Sequence, residues 1–87
     1  MQAIGLTNTR KVRRAEMFGS VAGALRILGK NLVATTANDN GALNVWKDRD
    51  GIYRCKSYRH RNILESKNYS NLRLVRAWLK KWMLKIA

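Results

Sequence analysis

The stretch 42–87, ALNVWKDRDGIYRCKSYRHRNILESKNYSNLRLVRAWLKKWMLKIA, decides the fold. Two β-prone runs, 42–47 and 52–58, flank Asp48-Arg49-Asp50-Gly51, a tight-turn composition in which Gly51 supplies the positive φ that hairpin loops require. His60-Arg61-Asn62 reads as a second turn and 63–69 as a third strand. Because side chains alternate across a strand, Tyr53, Cys55 and Ser57 share one face of the central strand, and Ile52, Arg54, Lys56 and Tyr58 share the other. The remainder is helical. Ser70 or Asn71 offers a cap, and Leu72, Val75, Leu79, Trp82, Met83 and Ile86 recur at spacings of three and four, with Leu74 and Trp78 widening the stripe. Arg73, Arg76 and Lys80 line the opposite side, while Lys81 and Lys85 sit near the C-terminal end, where the helix dipole favours cations.

Upstream of this stretch, 37–41 (ANDNG) is a turn and 32–36 a short β-branched strand. From Ala15 the apolar residues Met17, Val21, Ala24, Leu25 and Leu28 recur at helical spacing, and Gly29 supplies a stop. The run 10–14 is basic and precedes any apolar periodicity, so 1–14 reads as a basic N-terminal arm and 15–87 as one domain. The expected fold is α+β: a single small domain with an N-terminal helix, a three- to four-stranded antiparallel sheet, and a C-terminal amphipathic helix packed on one sheet face.

Eighteen Lys and Arg against five Asp and Glu give 87 residues a net charge of +13. Like charge at this density repels itself, and a polyanion or an acidic surface relieves it. The hydrophobic fraction of 46 %, with three Trp and three Tyr, is enough to drive folding. One cysteine, Cys55, forms no internal disulfide, which suits a reducing cytoplasm. The most apolar early stretch, 15–28, contains Glu16 and Arg26 and falls short of the roughly 20 apolar residues that span a bilayer. No secretory signal or membrane association is expected.

The cations fall into three groups. The densest is Arg54, Lys56, Tyr58, Arg59, His60 and Arg61, joined by Lys47 and Trp46 across the hairpin, where rings suited to base stacking alternate with cations suited to phosphate. The same run also fits an exposed strand guarded against edge pairing by its charge. The second group is the arm, with Arg10, Lys11, Arg13 and Arg14; the third is the helical stripe of Arg73, Arg76 and Lys80, which equally fits a solvated helix face. Trp78 and Trp82 lie one turn apart beside the apolar stripe, as core residues do, which leaves Trp46 as the exposed aromatic. His60 is the sole histidine, so no two-histidine metal site forms, and Asp48, Asp50 and Gly51 lack the further ligands of a calcium loop. No metal, cofactor, catalytic residue or small-molecule substrate is expected.

The stretch from Leu43 to Met83, with its turn at 48–51, the strand Ile52-Tyr53-Arg54-Cys55-Lys56-Ser57-Tyr58, a third strand and a helix, resembles the arm-type DNA-binding domain of phage tyrosine recombinases, a three-stranded sheet plus a helix. That resemblance is topological, covers about half the chain, and implies that the sheet face bearing Arg54, Lys56 and Tyr58 lies nearest to DNA. The helix–strands–helix order is also similar to double-stranded-RNA-binding folds and to small ribonuclease toxins built on them, although His60 stands in Tyr58-Arg59-His60-Arg61 without the Gly-Ser-His setting of those toxins. Size and basicity together give the chain the general look of a phage or mobile-element accessory protein. Three functions follow as expectations: a non-catalytic protein that binds DNA or RNA through a basic aromatic hairpin; an inhibitor that binds an acidic or nucleic-acid-binding surface of a host protein; and a small ribonuclease. Sequence leaves oligomeric state open.

Overall fold

The computed structural model describes residues 13–87. Its elements are β1 (Ala15–Met17), α1 (Val21–Gly29), β2 (Val33–Asn38), β3 (Gly41–Lys47), β4 (Tyr53–Arg59), β5 (Asn62–Tyr69) and α2 (Leu72–Lys85). The strands form one five-stranded sheet in the order β1-β2-β3-β4-β5. The class is α+β, as read from sequence, with two corrections. The sheet has five strands rather than three or four, and it is mixed, because β1 runs parallel to β2 while the other neighbours are antiparallel.

The first helix also starts later than its periodicity predicts. Ala15, Glu16 and Met17 pair with Val33, Ala34 and Thr35 as a strand, and Phe18 continues the pairing by donating its N–H to the Thr35 carbonyl at 3.0 Å. Ser20 then caps α1, its Oγ accepting from the Gly23 N–H at 3.0 Å. Met17 therefore lies outside the helix and is 71 % exposed. The helix ends at Gly29, as expected, but Asn31 takes the left-handed conformation (φ 61°). Asn31 N–H bonds to the Leu28 carbonyl and Leu32 N–H to that of Ile27, the paired bonds of a Schellman motif.

Both helices cover the same face of the sheet. Beneath them the burial of β3 and β4 alternates as the pleat requires: Leu43, Val45, Tyr53, Cys55 and Ser57 are buried, and the residues between them are not. Phe18, Ala24, Ile27 and Leu28 complete the core from one side, and Val75, Trp78, Leu79, Trp82 and Ile86 from the other. Leu72 and Leu74, expected in the apolar stripe of α2, are instead 39 % and 45 % exposed. Asn71 provides the α2 cap by accepting from the Leu74 N–H at 3.1 Å. At its other end, Asn38 and Asn40 donate to the Ile86 carbonyl, so the β2–β3 turn ties down the C-terminal carbonyls that a helix leaves without partners. Gly41 makes this closeness feasible, since a Cβ there would stand 2.8 Å from the Tyr58 carbonyl oxygen and 3.0 Å from Ile86.

Candidate nucleic-acid interface

The second face of the sheet has no helix over it among the described residues. The pleat that buries Tyr53, Cys55 and Ser57 turns Arg54, Lys56 and Tyr58 outward, and the register sets Trp46 beside Arg54, Asn44 beside Lys56, and Ala42 beside Tyr58. From β5, Asn68 and Ser66 stand opposite Arg54 and Lys56. From β2, Thr35 stands opposite Asn44, and its hydroxyl donates to Asn44 Oδ1 at 2.6 Å. The Lys56 ammonium lies over the Trp46 ring, 5.7 Å from its centroid. The open face thus combines aromatic rings, cations, amides and hydroxyls. Among the described residues none of its strand positions carries a carboxylate: Glu16 and Glu65 fall on the helix-covered face by the same alternation, and Asp39, Asp48 and Asp50 lie in turns.

Arg54 and Lys56 differ in how free their charge is. Asp48 Oδ2 accepts from Arg54 Nε at 2.9 Å and lies 2.7 Å from Nη2, a two-point grip that fixes the guanidinium and offsets its charge. Asp48 Oδ1 meanwhile accepts from the N–H groups of Asp50 and Ile52, closing the β3–β4 turn in which Gly51 takes φ 84°. The Ile52 N–H above all, followed by Arg54 and Asp50, holds the Asp48 carboxyl below its ordinary range against the opposing effect of desolvation. Lys56 has no carboxylate partner among the described residues and is the uncompensated cation at the centre of the face.

Arg59, His60 and Arg61 are exposed at the β4–β5 turn, at the far end of β4 from Arg54. His60 (φ 51°) and Arg61 (φ 71°) both occupy the left-handed region, the backbone of a tight hairpin turn that sequences usually build with Asn and Gly. A groove of about 170 Å³ runs between this turn and the β2–β3 turn, lined by Asn38, Asp39, Gly41, Tyr58 and the three tip residues.

The other predicted residues are dispersed. Lys47 falls on the helix-covered face, its ammonium 5.7 Å from the centre of the Tyr53 ring. The Arg13 guanidinium donates to the Lys47 carbonyl, while Arg14 offers its carbonyl to Val33 N–H and its guanidinium to Glu16 at 3.6 Å. Arg10 and Lys11 lie outside the described residues. Arg73, Arg76 and Lys80 are exposed on α2, in the helix layer on the opposite side of the sheet from Lys56.

Sequence reading passed over Glu65. Its Oε1 accepts from the indole N–H of Trp78 and of Trp82, both at 2.8 Å, and from Lys81 Nζ at 3.2 Å. The Trp82 bond first, then Trp78 and Lys81, bring its carboxyl down to about 2 against the opposing effect of desolvation. A signal was available: β5 alternation sends Glu65 toward the helices, and two indoles one turn apart need an acceptor when buried. Burial pushes the Cys55 thiol up to about 12. Among the described residues no cluster of His, Cys, Asp and Glu is arranged to hold a metal, and no helix is long and apolar enough to cross a membrane. Compared with known protein families, curated proteins and solved structures, the chain matches none.

Proposed function

We propose that this chain is a non-catalytic nucleic-acid-binding protein that receives its ligand on the open face of the sheet. The observation that carries the reading is the segregation on β3, β4 and β5. Apolar side chains face the helices, while Trp46, Arg54, Lys56 and Tyr58 face away from them on a surface whose strand positions, among the described residues, carry no carboxylate. A backbone phosphate would draw Lys56 off the Trp46 ring and leave that ring free to stack on a base. Asn44, Ser66 and Asn68 supply hydrogen-bonding groups around the cations. The resemblance to arm-type DNA-binding domains would likewise put this sheet face nearest to DNA.

Fluorescence polarisation with single-stranded and duplex oligonucleotides at two salt concentrations tests it. Binding is expected to weaken steeply with salt, because each phosphate contact releases condensed counterions. Failure to bind either form at low salt would refute the reading. Stoichiometric capture of one host protein in that case would move the assignment to an inhibitor acting on an acidic protein surface.

A further inference from the structure

The two edges of the sheet are unlike. β1 is three residues long and is flanked by the ion pairs of Glu16 with Arg14 and Lys30, which guard a short edge. β5 is eight residues long, and its outer edge has no partner among the described residues. It bears Ile63 and Leu64, 54 % and 52 % exposed, and its only charged residues are Glu65 and Lys67. In a molecule of net charge +13 this strand sums to zero. The order of its two charges has a geometric consequence: an antiparallel pair of β5 strands related by a twofold axis at Ser66 sets Glu65 of each copy opposite Lys67 of the other.

We infer that β5 is a homodimerisation edge through which two copies pair in this register. Glu65 and Lys67 lie on the helix-covered side, so both reciprocal ion pairs form there and the helices of both copies fall on one side of a continuous sheet. Among the described residues the donors that reach Glu65 all bond to Oε1, which leaves Oε2 for the incoming Lys67. The side of α2 nearest the edge is the one from which Trp78 and Lys81 reach Glu65, and Leu74, two turns before Lys81 and 45 % exposed, lies on that side. Pairing would cover apolar surface there and at Ile63 and Leu64. The open faces of the two copies become one surface, with Lys56 and Trp46 repeated about the axis. The strands alone bury a small area and the copies repel each other, so the dimer is weak and tightens as salt screens the repulsion.

Sedimentation of the full chain from about 5 to 300 µM, at low and moderate salt, is expected to show a monomer–dimer equilibrium that shifts toward dimer with salt. Lys67→Glu, a substitution at an exposed residue, places like charges across the axis and should weaken association about tenfold. Under mild oxidation Ser66→Cys should crosslink rapidly, because residues 66 face each other roughly 4.5–5.5 Å apart. Asn68→Cys should crosslink slowly, its counterparts being about 14 Å apart along antiparallel strands. Monomer at every concentration, or equally fast crosslinking at 66 and 68, would overturn the inference. Dimerisation insensitive to Lys67→Glu would reject this register.

Discussion

Removing the Glu65 carboxylate should cost this protein more stability than any other single polar change described above. Trp78 and Trp82, 3 % and 8 % exposed, are the largest residues beneath α2, and their ring centroids lie 6.1 Å apart. Both indole N–H groups end on one oxygen of Glu65. Hydrogen bonds to a charged acceptor are worth about 1.5–3 kcal/mol each, and a donor stranded in a buried site loses its hydration without return. Allowing for the partial exposure of the carboxylate, Glu65→Ala is expected to cost about 2–3 kcal/mol, or roughly 10–20 °C of melting temperature in a domain of this size. Glu65→Gln keeps an acceptor carbonyl and should cost about 1 kcal/mol. The pH dependence has a definite sign. A carboxyl that titrates at 4.5 in the unfolded chain and at about 2 in the folded one stabilises fully above 4.5, and that contribution is lost as pH falls toward 2. Wild type should therefore lose more stability than Glu65→Gln between pH 5 and pH 2, as followed by circular dichroism melts. A melting temperature for Glu65→Ala within about 3 °C of wild type would show that the indoles do not depend on this acceptor and would refute the reasoning.

Three further outcomes follow from the core and the hairpin tip. Ser57 is fully buried and its hydroxyl has no partner among the described residues, so Ser57→Ala should be neutral or stabilising by up to about 1 kcal/mol in denaturant unfolding. Cys55 is fully buried with its thiol pushed up to about 12, so an aromatic disulfide reagent should label it only after unfolding; rapid labelling of native protein would contradict this packing. His60 and Arg61 hold left-handed backbone at a cost of roughly 1 kcal/mol each, so His60→Asn with Arg61→Gly should raise the melting temperature by several degrees while weakening polyanion binding through the lost cation. Unchanged or lower stability would mean that the tip is not strained.

What could be read from sequence divides along the range of the interactions involved. The facing of β4 was legible because period-two alternation is local: Arg54, Lys56 and Tyr58 had to oppose Cys55 and Ser57 whatever the rest of the chain did. β1 was not legible, since Met17 and Val21 stand at i and i+4 and so fit a helical stripe. Only pairing with Val33–Thr35, across α1, makes 15–17 a strand. Leu72 and Leu74 fit the apolar arc of α2 by spacing, but both are exposed and stand outside the core cluster of the described residues, so periodicity alone misplaced them. At the candidate site, proximity in sequence suggested that Arg54, Lys56, Arg59 and Arg61 converge. In the fold Arg54 is gripped by Asp48 at one end of β4, while Arg59 and Arg61 lie at the other. Asn44, Ser66 and Asn68 escaped notice because neutral polar residues on a strand carry no signal until the register sets them beside Lys56 and Arg54.

Charge reversal on the two sides of the molecule, followed by the affinity and the salt dependence of oligonucleotide binding, tests most directly which face binds. Arg54→Glu with Lys56→Glu changes the open face, and Arg73→Glu with Lys80→Glu changes the helix layer by an equal charge. If the open face is the binding surface, the first pair should lower affinity at least about tenfold more than the second and reduce the salt slope by about one to two, with both variants folded by circular dichroism. Equal losses from the two pairs would mean that diffuse charge carries the affinity, and a larger loss from Arg73 and Lys80 would place the ligand on the helices, contradicting the account.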